Sequence, residues 1–316
     1  MYDTIGFWFE DIDNKSSYLK KDIVDRETGK INYSGKLDNF TIYTKFGKSY
    51  VRGSLSKFYL GNNVETLTQE TTRLAIEKLS DLLGINPDLA WLSRIDISIN
   101  LRTNLPIMYY TSCLGDMSRH KKWIIDNYST VMFKNDLREI CFYDKTKELI
   151  DKKIYFPKLS KNDYILRYEL RLRKRVNQQL NLPEIKLSSL YNEDFCHDLI
   201  QKLAEYYSSI NKTKNIIVKD ERMFDSHKKL MNVLAAIGLQ EIGGESFLVN
   251  QLNQQEMYKM KRSRLEQTIK KLATNEDFTM QNEAISELDQ KMIENLDNLL
   301  ILYCSPTYSG HHFTIV

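Results

Sequence analysis

S-R-I-D-I-S-I-N-L, Ser93 to Leu101, alternates polar and apolar residues along its length. Period two is strand geometry, so Arg94, Asp96, Ser98 and Asn100 share one face, and Ile95, Ile97, Ile99 and Leu101 the other. The pattern recurs in Y-I-L-R-Y-E-L-R-L-R, Tyr164 to Arg173, where Arg167, Glu169, Arg171 and Arg173 oppose Leu166, Tyr168, Leu170 and Leu172. It recurs again in R-E-I-C-F-Y-D-K-T-K-E-L, Arg138 to Leu149. There Ile140 and Phe142 alternate with Cys141, Tyr143 and Lys145, before a turn or helix start. Strands that are apolar behind and polar in front predict one antiparallel sheet with a working face.

Working outward, Ile5 to Phe9 reads as an opening strand, and Gly29 to Gly35 has turn composition. Phe40 to Phe46 and Tyr50 to Leu60 read as a hairpin turning at Gly47-Lys48, with Gly53 to Asn63 ending in a loop. A helix follows, capped at Thr66 or Thr68, with Ala75, Ile76, Leu79, Leu82 and Leu83 as its apolar stripe and Gly84 past its end. Ile107 to Leu114 is ambiguous between strand and helix. Val131 to Phe133 and Glu139 to Tyr143 form a second hairpin, and Lys145 to Lys153 a short helix. After Leu182-Pro183 the period changes to 3.6, giving helices over Asp194 to Ile210, Arg222 to Ile237 (stopped by Gly238), Gln254 to Ala273 and Gln281 to Tyr303. Fold class is therefore α+β: an antiparallel sheet with helices packed on one face over residues 1–180, then a helical region over 181–316.

The 316 residues are 42% hydrophobic and 28% charged, with a net charge of only +3, so any nucleic-acid-binding surface must be local. No apolar run approaches the ~18 residues of a membrane span. No secretory signal is legible at the N-terminus. Cys113, Cys141, Cys196 and Cys304 form no C-x-x-C pair, so zinc or disulfides are not expected and a reducing cytoplasm is the default. There is no G-x-x-x-x-G-K-[ST] or G-x-G-x-x-G loop, which argues against ATP-driven chemistry.

The polar faces carry the candidate chemistry. A tyrosine can cleave a phosphodiester reversibly, because the phosphotyrosine product keeps the bond energy for rejoining. Its free pKa of about 10 means that it needs help. Lys145, two residues from Tyr143, is placed to lower that pKa or to stabilise the pentavalent phosphate. Asp96 and Glu169 are hard oxygen ligands suited to Mg²⁺ or Mn²⁺. Asp144 points to the apolar face if its strand stays regular, and becomes a third ligand only if the strand ends at Tyr143. Arg167, Arg171, Arg173, Lys174 and Arg175 form a positive rim around Glu169, suited to tracking a phosphate backbone. Lys57 and Arg94 are further candidate DNA contacts. In the Gln254 to Ala273 helix, Lys259 and Arg262 are cationic, and Met257, Met260, Leu265, Ile269 and Leu272 supply a buried side. With the preceding helix this suggests a helix-turn-helix-like DNA reader; the alternative is an ordinary amphipathic surface helix.

Four stretches, in order, resemble the replication initiators of filamentous phages and related plasmids, the gene II/X family. They are S-L-S-K-F-Y-L-G-N at Ser54 to Asn62, S-R-I-D at Ser93 to Asp96, S-T-V at Ser129 to Val131 with C-F-Y-D-K-T-K-E-L at Cys141 to Leu149, and R-Y-E-L-R-L-R-K-R at Arg167 to Arg175. The resemblance implies a nicking-endonuclease-like sheet and a rolling-circle initiator. Such a protein nicks one strand of origin DNA, stays attached to the 5′ end and leaves a 3′-OH for a polymerase. It implies Tyr143 as nucleophile, Asp96 and Glu169 as the acidic residues, and Lys145 at a basic position. Asp144 falls where coliphage members are apolar. Partners implied are double- and single-stranded origin DNA and a host helicase and polymerase; whether a monomer or a homodimer nicks stays open. In a second plasmid group the tyrosine follows the E-L strand on a helix, but Val176 to Leu190 holds none. The paired His-apolar-His metal motif of the broader nicking group is also absent. The main rival is a non-catalytic DNA-binding regulator of the same fold. A third reading, an RNA-binding sheet, requires exposed aromatics on a face where the alternation predicts charge.

Overall fold

Alternation does build the expected sheet. The structure, a computed structural model, describes residues 1–10, 19–24, 31–45, 47–154, 163–212, 215–216, 225–241, 244–273, 279–280 and 283–304. The chain opens with strands β1 (Tyr2–Glu10), β2 (Leu19–Val24), β3 (Ile31–Leu37), β4 (Phe40–Lys45) and β5 (Lys48–Ser54). Helices α1 (Leu55–Leu60) and α2 (Gln69–Leu83) follow, then the long strand β6 (Ala90–Thr103) and helix α3 (Ile107–Thr111). Next come β7 (Leu114–Met117), β8 (Lys121–Ile125), β9 (Thr130–Lys134), β10 (Arg138–Asp144), α4 (Lys145–Asp151) and β11 (Tyr164–Leu172). The remainder is α5 (Val176–Gln179), α6 (Glu193–Ser208), β12 (Ile210–Lys212), β13 (Asn215–Ile216), α7 (His227–Glu241), α8 (Gly244–Asn253), α9 (Lys259–Ala273), β14 (Thr279–Met280) and α10 (Glu283–Tyr303).

A ten-stranded sheet runs β2-β3-β4-β5-β1-β6-β11-β10-β9-β8, and each of its pairings is antiparallel. Its apolar face is covered by α2, α3, α6 and α10. The Tyr168 hydroxyl donates to the Leu203 carbonyl of α6 at 2.9 Å, and Phe142 lies 6.2 Å from the Tyr207 ring. Tyr2 meets Tyr303 of α10 edge-on at 5.8 Å, and the Tyr110 hydroxyl of α3 donates to Glu287 of α10 at 2.6 Å. Ile285, Leu288, Met292, Leu296 and Leu299, the stripe read along α10, are all buried in the same core as Ile97 and Leu170. At ~1.5–3 kcal/mol per buried aliphatic side chain, this layer is the main support of the sheet. Residues beyond 180 thus divide: α6 and α10 lie on the sheet, whereas α7, α8 and α9 pack chiefly on one another.

Several boundaries move, each for a local reason. Gly53 to Asn63 is not loop throughout: Ser54 accepts from Lys57 N and Gly61 closes α1 at φ 75°, so cap and stop lie only seven residues apart. Asn32, Ser34 and Gly35, expected in a turn, pair with β2 and β4 inside β3; Gly29 and Lys30 lie outside the described residues. Thr68, not Thr66, caps α2, in a capping box with Thr71, and Leu82 of the expected stripe is exposed. Ile107 to Thr111 is helix. Gly238 does not stop α7, and α8 lies between the two helices expected there. Met260 and Leu265, expected on the buried side of α9, are exposed, while Ile269 is buried.

Candidate functional site

Register decides which polar residues meet. On the face opposite the helices, Tyr143 stands beside Arg167 and Arg167 beside Asn100; Cys141 beside Glu169 and Glu169 beside Ser98; Glu139 beside Arg171 and Arg171 beside Asp96. Tyr143, Glu169 and Asp96 therefore form an oblique line across β10, β11 and β6. From strand and residue spacings, successive members are ~8 Å apart at Cα, and Tyr143 is ~17 Å from Asp96. The structure brings Tyr143 to Glu169 and Glu169 to Asp96, but not Tyr143 to Asp96.

The acids are buried and arginine-paired. Asp96 accepts from Arg94 Nε at 2.9 Å and Nη2 at 2.6 Å. Burial nevertheless raises its pKa to about 6, over the lowering pull of Arg94, and the Glu169 charge adds to the rise. Glu169 is bound by Arg171 Nε at 2.8 Å and approached by Arg167 Nη2 at 3.5 Å. Arg171 and Arg173 also pair with Glu139, whose Oε1 takes Lys134 at 3.0 Å as well.

Two residues that alternation alone does not identify complete the cluster. Asp3 sits where β1 shifts register against β6, between Tyr2 and Ile5. Its carboxylate takes Arg167 Nη2 at 3.2 Å, the Ser54 hydroxyl at 2.9 Å and Asn63 Nδ2 at 3.3 Å. Burial pushes its pKa upward, but Arg167 and these hydrogen bonds bring it to about 2. Asn63, past the end of α1, is a hub: its Oδ1 accepts from Lys145 Nζ at 3.0 Å and its backbone carbonyl from Arg167 Nη1 at 2.6 Å. The segment through Asn63 and Val64, whose carbonyl accepts from Asn100, thus roofs this end of the face. The available signals were an acid inside an apolar strand and an asparagine just past a helix-stopping glycine.

Lys145 is not on the strand. It opens α4, yet it turns inward, 1% exposed, onto Asn63 and Glu148 Oε2 (2.7 Å). Burial lowers its pKa, and the Arg167 charge adds to that. Tyr143 is partly buried on the polar face. Burial raises its phenol well above the ordinary value, Arg167 pulls it down, and Glu169, Glu148 and Asp3 push it up. The cation that opposes the rise most is Arg167 rather than Lys145. Asp144 caps α4, accepting from Lys147 N at 2.8 Å, which gives its carboxylate a structural task. Arg167, read as rim, is 1% exposed and lies inside the cluster. Arg171 is partly covered, and Arg173, Lys174 and Arg175 are exposed at the strand end. Lys57 is half-buried on α1 and lines a cleft with Thr4, Thr41 and Arg52. On α9, Lys259 is exposed, and Arg262 donates to the Gln255 carbonyl at 2.8 Å. Tyr191, the first tyrosine after β11, ends a 3-10 turn (Leu187–Tyr191) that packs on α2, away from the polar face.

Farther along this face, Tyr43, Tyr50, Trp8 and Trp91 stand opposite one another on β4, β5, β1 and β6. Tyr43 stacks on Tyr50 at 4.8 Å, and Trp8 on Trp91 at 4.4 Å. The face therefore carries aromatic rings as well as charge, contrary to the expectation from alternation.

Asp96 and Glu169 are two hard carboxylates on neighbouring strands, both buried and each already paired with an arginine, Arg94 and Arg171 respectively. Among the described residues no group of three His, Cys, Asp or Glu side chains forms a cage. Mg²⁺ commonly takes one or two carboxylates, with water and substrate phosphate completing the shell.

No helix among the described residues is long and apolar enough to cross a membrane. A family model for the N-terminal part of the phage replication-associated gene II protein matches residues 1–194. No curated protein matches the chain.

Proposed function

Because the chain belongs to this family of phage replication-associated proteins, we propose that it is a rolling-circle initiator that nicks one strand of origin DNA and rejoins it through Tyr143. The reading rests on a nicking-endonuclease-like use of the sheet's polar face. The observation that carries it is Tyr143 on that face, next to Arg167 and diagonal to Glu169.

The Tyr143 oxygen attacks the scissile phosphorus, the bond to the 3′ oxygen breaks, and the 3′-OH leaves as primer while the 5′ phosphate stays on the tyrosine. The phenol proton is lost to water and the departing 3′ oxygen takes one up, so the exchange balances. Arg167 is fixed by Asp3, Glu169, Asn63 and Asn100, so it stabilises the phenolate without first reorganising. Lys145 adds positive charge at the same end. Asp96 and Glu169 would hold Mg²⁺ or Mn²⁺, which would neutralise charge on the scissile phosphate. Arg171, Arg173, Lys174 and Arg175 would guide the backbone along the strand ends.

The test is supercoiled origin DNA incubated with the protein and Mn²⁺, followed by mapping of any peptide on the 5′ phosphate. The proposal expects the peptide holding Tyr143. A DNA-binding regulator would give no adduct, and Tyr143→Phe would leave its activity intact.

A further inference from the structure

We propose that the aromatic row Tyr43-Tyr50-Trp8-Trp91 is a stacking platform for single-stranded DNA, on the same face as the nicking site. The inference deepens the nicking reading by assigning where the unpaired strand lies. Three observations converge on it.

First, the rings occupy one cross-strand row over four adjacent strands, ~14 Å long by strand spacing. Tyr43 is 46% exposed. Aromatic pairs on sheets are commonly structural, and here Tyr50, Trp8 and Trp91 are partly covered, but Tyr43 at the end of the row rests on Tyr50 by one face and is open to solvent on the face that the helix layer leaves free. Second, cations flank the row. Lys48 Nζ sits 3.8 Å from the Trp8 ring centre and Lys186 Nζ 4.0 Å from that of Trp91. Each ammonium covers a π-face that a base could take, and each is within a side chain's swing of that base's phosphate. Bases on rings and phosphates on cations is the recognition mode for single strands; a duplex hides its base faces. Third, the row connects to the oblique line of acids. Arg52 and Arg94 lie in the adjacent cross-strand row, joined through Gly6. A Cβ at Gly6 would lie 3.0 Å from Arg94 Cβ, so glycine lets Arg94 lie against β1. A cleft of about 530 Å³ runs from Tyr43 and Arg52 to Ser54, which donates to Asp3.

The experiment measures binding without cleavage. Full-length protein in chelator is titrated with a labelled oligothymidylate of about 20 nucleotides and with a duplex of equal length. Tyr43→Ala is expected to weaken oligothymidylate binding about fivefold or more, the lower end for loss of one stacked base, and Tyr43→Phe to restore it. Duplex affinity stays within about twofold. In a Trp123→Phe background, oligothymidylate is expected to quench the remaining tryptophan emission. Unchanged oligothymidylate binding by Tyr43→Ala, absence of quenching, or tighter binding of oligouridylate than of oligothymidylate would overturn the inference. Thermal melting shows whether each variant is folded. Tyr143→Phe in the same titration separates the proposals: loss of its adduct bears on nicking, and its oligothymidylate affinity on the platform.

Discussion

Asp96→Asn offers the sharpest check on the electrostatics. In the folded chain the carboxyl has a pKa of about 6, against 3.8 for an unperturbed aspartate, and is 2% exposed. A raised acid pKa means that the folded state holds a proton that the unfolded state has released. Between those values the unfolded state binds fewer protons, so stability falls as pH rises. The span of about 2.2 pH units, at ~1.36 kcal/mol each, makes this residue cost ~3 kcal/mol at pH 7 relative to pH 3. Asparagine does not titrate. The difference in unfolding free energy, Asp96→Asn variant minus parent, is expected to grow by ~3 kcal/mol from pH 3 to pH 7 and to level off above pH 6.5. Urea unfolding in chelator at half-unit pH steps measures it. The attraction between ionised Asp96 and Arg94 is already contained in the folded pKa, so any offset that does not vary with pH reflects only the exchange of a neutral carboxyl for an amide. A difference that stays flat across pH 4 to 6, or shrinks, would refute the claim that burial outweighs Arg94.

Other outcomes follow from the same geometry. Tyr143→Phe removes a hydroxyl with no hydrogen-bond partner among the described residues; stability should move by less than ~1 kcal/mol in a melt, while the covalent DNA adduct disappears. Arg167→Leu leaves Asp3 and Glu169 without their shared cation inside the face and should cost ~3–5 kcal/mol in denaturant titration; a neutral effect would show that the acids had been protonated. Asn63→Ala removes the side-chain partner of Lys145 and Asp3, with an expected loss of ~1–3 kcal/mol and faster amide exchange in residues 61–65. Gly53→Ala places a Cβ 2.6 Å from the Phe40 ring and should lower the melting temperature, whereas Gly61→Ala meets open space and pays only for its φ of 75°.

Alternation made β6, β10 and β11 legible because each buries one face, and a one-residue slip would expose every isoleucine or leucine in it. The α10 stripe was legible for the matching helical reason. Register between strands is set by long-range pairing, and it decided the site: it put Glu169 between Tyr143 and Asp96. Asp3 stayed hidden because an irregularity in β1 against β6, not plain period two, turns it to the polar side. The aromatic row was invisible along the chain because its members, residues 8, 43, 50 and 91, are neighbours only across strands. Lys145, which the sequence offers both as the end of the strand face and as the start of a helix, begins the helix, and it reaches the expected end of the sheet because Asp144 caps the helix there.

The Asn63 amide has a consequence for any attempt to redesign this end of the sheet. One carboxamide, with its own peptide carbonyl, is shared among an ammonium, a guanidinium and an acid drawn from three distant parts of the chain. Each depends on the same connector for its orientation. A swap at Lys145, Arg167 or Asp3 therefore disturbs the other two, and effects measured singly will not sum. Recoding the charge around the phenol means changing all four positions together.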